Sequence, residues 1–555
     1  MDQVALVQAE EDRSLPARRS CGGPGDVWNR PVASRPRTVG AEAGVRRLPL
    51  SIALALVLVA YMSIAAGAST SVGCDPNPTT RANALIAAIA NAVTAGGTQT
   101  VALASACTYT LTTVHNGSGV NTNGLPRINN NVDLTVTGNN ATITRDGAAP
   151  RFRLFQVDSG ATLRLNDITL SGGHTPDGAP SQNGGDGGAI YNAGTLHVAD
   201  SVVQQNKTGD GGDGQDGPPT LGAGNGGQGG GLFNSGTTQI TRTRVSGNMT
   251  GMGGTMISDG DGGHGGGVSN SGTLQVTRSL FSSNQTGVGG NGGYSGGQQG
   301  RGGGIYSTNL VEVTNTTFMQ NNSGLGGGVE NFGGTAMLSW NTFDGNTAGS
   351  GGGLSNYAGG TFQLTNSTVA NNQASDEGGG IYNDGTMIVT FSTLSNNGAP
   401  SGGGLYQDAG TFTLRNSIIA HTSMGANCNV NITDGGYNIE DKDDCGLSAA
   451  NHSQSDTDPN LDPSGLQANG GLTKTIALQG TSPAVDAIPP GTNDCGTTVT
   501  TDQRGVPRPQ DPQCDVGAYE LTPASPAPAL SPRALGGLAI ALVAAGALRV
   551  RRRAG

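Results

Sequence analysis

The stretch GGGLSNYAGGTFQLTNSTVANN, residues 351–372, decides the fold of this chain. Three glycines lead into the apolar Leu354, and Phe362 and Leu364 then alternate with polar residues before the stretch ends at Asn372. Alternation of this kind predicts a short β-strand with one buried face. A unit of this length cannot bury its own apolar face, so it needs neighbours of the same kind.

The unit recurs eight times. Each copy begins with Gly-Gly-(Gly/Ala), at Gly187, Gly229, Gly265, Gly302, Gly326, Gly351, Gly378 and Gly402. Three apolar positions recur in all eight copies, and an asparagine follows the last of them in seven. The last four intervals between copies are 24 to 27 residues, whereas the first three are 36 to 42. The extra residues are polar and glycine-rich, so we interpret them as loops inserted at one corner.

Stacking of the copies would bury the apolar positions. Equivalent strands would pair in parallel at about 4.8 Å and form continuous internal columns. The sequence therefore predicts an all-β fold, a right-handed parallel β-helix (solenoid), whose hand follows the rule for parallel crossovers. We expect the corner glycines to adopt positive φ, and the asparagines to form ladders and accept the left-handed backbone region. One repeat position holds charged, polar and apolar residues in different copies, so its side chains are predicted to face outward. Its members include Asp200, Arg242, Asn315, Asn366 and Phe391.

The sequence before the repeats is irregular. Residues 132–146 and 152–173 alternate in the same way without the glycine triplet and predict two or three further rungs. Residues 80–95 carry a helical pattern, with a threonine cap before it and two glycines after it. Because the open end of a β-helix exposes unpaired strand edges, we assign this segment as an N-terminal capping helix.

The two ends of the chain predict export. Arg46 and Arg47 precede the apolar residues 48–66, and an A-x-A site closes at Ala68, so residues 45–68 are interpreted as a signal peptide. Residues 1–44 are a polar extension, which indicates either a start codon assigned too early or a cytoplasmic segment.

The other end predicts attachment. A Pro/Ala-rich linker over 522–533 leads to a hydrophobic, basic-ended segment over 534–555. The apolar part of this segment gives about 22 Å of helix against about 30 Å of bilayer core. The segment resembles bacterial sorting tails of the PEP/IPTL type, and a plain membrane anchor is the alternative. We therefore expect a location at a bacterial cell surface, membrane-anchored or released.

The remaining chain divides into four predicted parts. They are an N-terminal cap over 69–115, irregular rungs over 116–186, eight Gly-rich repeats over 187–425 and a C-terminal cap over 426–521. Without residues 1–68 and 533–555 the chain keeps 34 acidic and 16 basic residues, a net charge of −18. That charge argues against binding nucleic acid or an anionic membrane surface by electrostatic attraction.

Cysteine usage agrees with export. One cysteine, Cys21, lies in the leader, and six remain: Cys74, Cys107, Cys428, Cys445, Cys495 and Cys514. An even number in an exported chain favours structural disulfides, which can pair in many ways. We favour bonds between sequence neighbours, 74 with 107, 428 with 445 and 495 with 514. No C-x-x-C occurs, so zinc and thioredoxin chemistry have no support.

Two sets of motifs resemble known bacterial groups. The glycine triplet followed by F-x-x-N, at 281–284, 318–321 and 343–346, resembles the repeat of chlamydial polymorphic outer-membrane proteins. That resemblance implies a β-helical surface adhesin. No C-terminal autotransporter barrel is visible in the sequence, so the route of export would differ.

The C-terminal motifs resemble a second group. SPAVD (482–486), TDQRGVPRP (501–509) and CDVGAYE (514–520) look like the choice-of-anchor Q domain that ends many bacterial surface β-helix proteins. The helix and CTYTL (107–111) are similar to the start of CSLREA-type proteins, without the CSLREA string itself. None of these groups implies a known reaction.

The charged residues of the repeats bear on whether the protein is an enzyme or a non-enzymatic surface protein. β-Helix enzymes that act on polysaccharides need clustered carboxylates, or calcium held beside a basic residue. Charges within the repeats are scattered instead: Glu312, Glu330, Asp344, Asp376, Glu377, Asp384 and Asp408. The pair at 376–377 is predicted to lie in a corner loop. Three arginines on neighbouring copies predict either a soluble face or a small basic patch: Arg242, Arg244 and Arg278.

Calcium binding has two weak candidates. The acidic run at 441–444, with Asp456 and Asp458, is interpreted as an acidic loop beside a disulfide, with a calcium site as the alternative. The inserts at 209–217 and 258–266 resemble RTX calcium turns, but their spacing differs from the nonapeptide repeat.

The sequence thus predicts a non-enzymatic, adhesin-like surface scaffold that binds a glycan or protein, with no catalytic, cofactor or metal residues, as a monomer. The alternative is a β-helix polysaccharide lyase or glycoside hydrolase.

Overall fold

The computed structural model describes residues 67–129, 131–216, 221–256, 258–292 and 296–522. Within these ranges the chain forms a parallel β-helix built from three columns of paired strands, so the predicted all-β solenoid is confirmed. One passage of the chain through the three columns is called a rung below. The right-handed sense stays a prediction. The predicted sorting tail, the linker beyond Thr522 and all but the last two residues of the predicted signal peptide lie outside the described residues, and Ala68 begins the first strand.

Column 1 contains the strands that follow the glycine corners. Its members are Phe155–Val157, Ile190–Asn192, Leu232–Asn234, Val268–Asn270, Ile305–Ser307, Val329–Phe332, Leu354–Tyr357 and the first parts of Ile381–Thr390 and Leu405–Arg415.

Column 2 begins before the repeats and runs through all of them. Its members are Ala68–Val72, Thr98–Leu103, the first parts of Asp133–Arg145 and Thr162–Ser171, then Thr195–Ala199, Thr237–Thr241, Thr273–Thr277, Leu310–Thr314, Thr335–Ser339, Thr361–Thr365, the last parts of Ile381–Thr390 and Leu405–Arg415, and Thr433–Asp434.

Column 3 carries the strand that precedes each ladder asparagine. Its members are Thr108–Leu111, the last parts of Asp133–Arg145 and Thr162–Ser171, then Val202–Gln204, Arg244–Ser246, Leu280–Ser282, Thr317–Met319, Thr342–Asp344, Thr368–Ala370, Thr393–Ser395, Ile418–Ala420 and Ile439–Glu440.

Further elements lie outside the three columns. A short parallel sheet joins Asn322–Leu325, Thr347–Ser350 and Gln373–Glu377. The acidic pair at 376–377 therefore ends a strand, and its assignment to a corner loop was wrong. An antiparallel hairpin pairs Leu461–Gln467 with Thr475–Leu478, and single 3₁₀ turns lie at Gly119–Asn121 and Ala449–Asn451.

The N-terminal helix, α1, spans Pro78–Ala95 and packs against the first strands of columns 2 and 3. Its N-cap is Asn77, whose side chain accepts the backbone N–H groups of Thr79 and Thr80, so the predicted threonine cap was wrong. Gly96 ends the helix at φ 65°. That α1 acts as a cap stays a prediction.

The interior of the β-helix is filled as the repeat predicts. The side chains at the three recurring apolar positions are buried in all eight copies. Phe318 stacks on Phe281 and Phe343 at ring-centroid distances of 5.0 and 4.9 Å. Ladders of stacked side chains of equal size leave few voids, and close packing of this kind stabilises a core.

The predicted asparagine ladder is present at the corner after column 3. Asn321 Nδ2 donates to Asn346 Oδ1 at 2.9 Å and to the Phe281 carbonyl at 3.0 Å, and the pattern repeats between neighbouring rungs. The left-handed conformation belongs to the residue before each asparagine, such as Gln320 at φ 54°, and not to the asparagine itself. A second buried ladder closes column 1, where Asn234 Nδ2 donates to Asn270 Oδ1 at 2.7 Å.

The glycine corners have the expected geometry. The first glycine of each triplet has φ between 56° and 70° in all eight copies, a region that L-residues with a Cβ rarely occupy.

The long inserts of the first copies form a packed layer, so the prediction of inserted loops was incomplete. Each insert runs outward and returns, and glycine recurs at every third residue, as in 251 and 254 or 260 and 263. Gly254 N–H donates to the Gly224 carbonyl, and Gly260 N–H donates to the Gly254 carbonyl. The three-residue period is that of polyproline II chains, which pack closely only where glycine leaves space.

The C-terminal region first continues the β-helix and then returns along its side. Residues 433–440 add strands to columns 2 and 3. From the hairpin onward the chain packs against column 3 and the adjoining corner, with hydrogen bonds that reach from Trp340 to Asn416.

Candidate functional site

The six predicted cysteines form three disulfides, in the pairing the sequence favoured. Cys74 bonds Cys107, Cys428 bonds Cys445, and Cys495 bonds Cys514. The first joins the segment before α1 to column 3, and the others tie the C-terminal region.

Several of the acidic candidates for calcium accept backbone N–H groups. Asp441 accepts the N–H of His421 at 2.7 Å, and Asp444 accepts that of Asn427 at 2.9 Å. In the glycine layer Asp210 accepts the N–H of Met252 at 2.8 Å, on the next rung. Within the described residues, the one group of three possible metal ligands is Cys428, Asp444 and Cys445, whose two thiols are already joined in a disulfide.

The three arginines singled out from the sequence meet in one groove. Arg242, Arg244 and Arg278 line it together with Lys474 and Asp344. Its volume is about 410 Å³. We call this set of side chains the basic groove. The floor is the outer side of column 3, and the wall is the segment 472–474 of the docked C-terminal region.

Two of the four cations are already paired. Arg242 donates twice to the Asp200 carboxylate, at 2.6 and 2.7 Å, and Arg244 donates to Gln204 Oε1 at 2.7 Å. Asp344 accepts the amide of Asn371 at 2.8 Å. All three arginines are exposed, so water screens these contacts strongly.

The other two cations, Arg278 and Lys474, are exposed, and their side chains make no hydrogen bond or ion pair with any described residue. The wall that carries Lys474 is fixed in place, because the Lys474 carbonyl accepts the Thr342 hydroxyl at 2.6 Å and Thr473 donates to the Trp340 carbonyl at 3.0 Å. Two positive charges without a partner among the described residues therefore line the same preformed groove.

A second cluster lies on the outer side of column 1 around Glu330. This side chain is fully buried, and neither carboxylate oxygen has a hydrogen-bond partner in the described structure. Arg301 lies 3.8 Å away and rests on the rings of Phe332 and Tyr357, at 5.2 and 4.6 Å. Burial raises the pKa of Glu330 to about 7, and the adjacent Ser355 hydroxyl and the charge of Arg301 offset only part of that shift.

Neighbouring groups around Glu330 are held neutral by burial. The pKa of His264 is lowered to about 4 by burial and by Arg301, and the pKa of Tyr306 is raised to about 12 by burial and by Glu330. Sequence reasoning placed Glu330 among scattered charges. The available signal was its position, because equivalent positions on other rungs hold Tyr306, Ser355 or other uncharged residues.

The C-terminal motifs are used for docking. Gln503 donates to the Asn341 carbonyl at 3.0 Å and accepts the Thr368 hydroxyl at 2.7 Å. Arg508 is buried and donates to Glu520 at 2.6 Å, so the two motif strings fold against each other. These residues lie between the C-terminal region and the β-helix, where they have a structural role.

No protein-family model matches this chain, and no curated protein matches it. Among solved structures it is similar to tailspike protein 3 of bacteriophage CBA120, with 11% identity and a TM-score of 0.32 over 69% of this chain and 59% of the tailspike. It is also similar to the A-module of mannuronan C-5 epimerase AlgE4 of Azotobacter vinelandii, with 13% identity and a TM-score of 0.29 over 65% of this chain and 90% of that one. At these TM-scores neither likeness carries an argument, so the fold rests on the strand pairing described above.

The described residues contain no helix with the length and apolar character that a membrane crossing requires.

Proposed function

We propose that this protein is an exported surface scaffold that binds a polysaccharide without cleaving it. The observation that carries the proposal is the basic groove, where exposed Arg278 and Lys474 have no partner among the described residues while the groove walls are fixed by hydrogen bonds. A rigid, preformed site with unused charges is what ligand binding requires, because little ordering entropy is lost when the ligand arrives. An adhesin-like role at a bacterial cell surface follows if the predicted signal and tail operate.

Cleavage of a glycan is the second candidate function. The observation in its favour is Glu330, whose pKa of about 7 would suit a general acid. Glycoside hydrolysis needs a second carboxylate at a defined distance, and the charged neighbour of Glu330 is Arg301. The side chain is also fully covered. These features favour a structural role for the cluster and therefore support binding over hydrolysis.

A binding and depolymerisation assay on the full-length protein tests the proposal. Immobilised protein is exposed to a panel of neutral and acidic polysaccharides, and the chain length of each is measured after incubation. We expect at least one polysaccharide to bind with its chain length unchanged. Shortened chains would establish an enzyme and overturn the non-enzymatic assignment. Absence of binding across the panel would remove the glycan ligand.

A further inference from the structure

The corner between columns 2 and 3 has an unusual choice of residues. All nine corner residues from Asp167 to Asn416 adopt left-handed φ, between 46° and 59°. Asparagine and aspartate tolerate this region best, and they fill five of the nine corners. The other four are Arg242, Arg278, Trp340 and Phe391. A residue that is less suited to such a backbone needs a compensating contact.

Contacts with the docked C-terminal region account for two of these four. Phe391 faces outward from its rung as predicted, but it is fully buried beneath the guanidinium of Arg508, at 4.5 Å from the ring centre, and Asn366 at the same position is buried as well. Trp340 lines a second groove with residues 498–501, and its carbonyl accepts the Thr473 hydroxyl. These two side chains face outward from the β-helix and meet another part of the protein.

The two arginines lie on the rungs just before the docked region. Arg242 is paired with Asp200, whereas Arg278 has no partner among the described residues. By the logic that explains Phe391, the missing partner of Arg278 is an external one. Lys474, on the wall of the same groove, also has no partner among the described residues and favours a ligand of the same negative charge, while Asp344 is the one carboxylate among the groove residues.

The groove also has the form that suits an extended polymer. Arg242 and Arg278 occupy equivalent corners of adjacent rungs, which are about 4.8 Å apart, so the groove extends over more than one rung. Leu280, Met319 and the exposed Leu472 add apolar surface against which a sugar ring can pack. Residues 69–532, groove included, carry a net charge of −18, so a nonspecific polyanion would be repelled elsewhere on the surface.

We propose that the basic groove binds an acidic polysaccharide, a linear chain with a carboxylate or sulfate on successive sugars, through Arg278 and Lys474. This inference rests on the proposed function and adds the ligand class. Nucleic acid shares the negative charge, but the acidic body disfavours a long duplex that would extend beyond the groove.

The test uses full-length protein and polygalacturonate, with fully methyl-esterified polygalacturonate as the uncharged match. The double variant Arg278→Asn, Lys474→Gln removes both free charges, and asparagine already occupies the equivalent corner at 315, so folding is preserved. The control, Arg127→Gln with Arg151→Gln, removes two charges that lie among residues outside the groove. Binding is measured by calorimetry at low and at raised salt, with circular dichroism as the check on folding.

We expect the groove variant to bind polygalacturonate about tenfold more weakly, since each exposed charge contact is worth a factor of about two to five. The control variant should bind as the parent does, the ester form should bind weakly, and raised salt should weaken parent binding. Equal binding of the ester, or an unchanged groove variant, would overturn the charge-based inference while leaving the scaffold proposal intact. Groove-dependent binding of duplex DNA instead of polysaccharide would also overturn it. If no polysaccharide binds, both proposals fail.

Discussion

Glu330 should make the stability of this protein depend on pH. Its pKa is raised from an ordinary 4.5 to about 7 by burial, so the folded chain holds this proton more tightly than the unfolded chain does. The contribution to stability is complete below about pH 4.5 and is lost as the pH rises through 7. Because one pKa unit corresponds to about 1.4 kcal/mol, the free energy of unfolding falls by about 2 to 3 kcal/mol between pH 5 and pH 8.

The substitution Glu330→Gln removes this titration. Two titratable groups that face Glu330 do not titrate in the same window, because His264 has a pKa of about 4 and Tyr306 one of about 12. Urea unfolding, followed by circular dichroism at half-unit steps between pH 5 and 8, should therefore show the variant gaining stability over the parent as the pH rises. Glu312→Gln, which removes a partly exposed carboxylate on column 2, is the matched control and should show no such trend.

A difference between Glu330→Gln and the parent that stays constant with pH would refute the reasoning. It would mean that Glu330 is already ionised at pH 5 and that Arg301 compensates its burial fully. A constant offset alone would reflect only the packing of the new amide.

Further substitutions test the ladder, the docking and the glycine layer. Asn321→Ala removes the acceptor of the Asn284 backbone N–H and side-chain amide and the donor to the Phe281 carbonyl, all buried, and should destabilise the fold by about 2 to 4 kcal/mol, seen as a lower melting temperature. Gln503→Ala should free the C-terminal region, so that limited proteolysis cuts it earlier while the β-helix survives. Gly260→Ala would place a Cβ 1.9 Å from the Gly224 carbonyl oxygen and should disrupt the glycine layer, whereas Gly222→Ala meets nothing closer than 3.6 Å and should not, as amide hydrogen exchange would report.

The fold of the repeats was predictable because it is determined by the short sequence pattern within each copy. Apolar residues at matched places in every copy can be hidden only by stacking, and the structure buries all of them. The asparagine after each copy could be assigned to a ladder for the same reason, since stacking brings equivalent residues together. The disulfide pairing followed from proximity in sequence.

The burial of outward-facing side chains was less predictable, because segments distant in sequence can cover them. Phe391 lies outward from its rung and is nevertheless fully buried, since residues more than 100 positions later cover it. The alternation along its strand predicts that Glu330 faces outward, but Arg301 and the neighbouring aromatic rings enclose its side chain. Neither outcome can be derived from the repeat alone.

The packing of the glycine layer could have been predicted from the spacing of its glycines. Reading the inserts as loops followed from their composition, yet their glycines recur every third residue. That period is typical of polyproline II packing, where only glycine allows close approach of neighbouring chains. In these inserts the spacing of the glycines therefore predicts the structure better than the amino-acid composition does.

The return of the C-terminal region along the side of the β-helix determines how tension would enter the molecule. A pull at Thr522 reaches the solenoid through bonds at Trp340, Asn366 and Asn416, which lie on different rungs. The load is then shared in shear by several rungs at once, and the final rung is spared from being peeled away strand by strand. A protein held at this end could withstand drag on a captured polymer without unwinding.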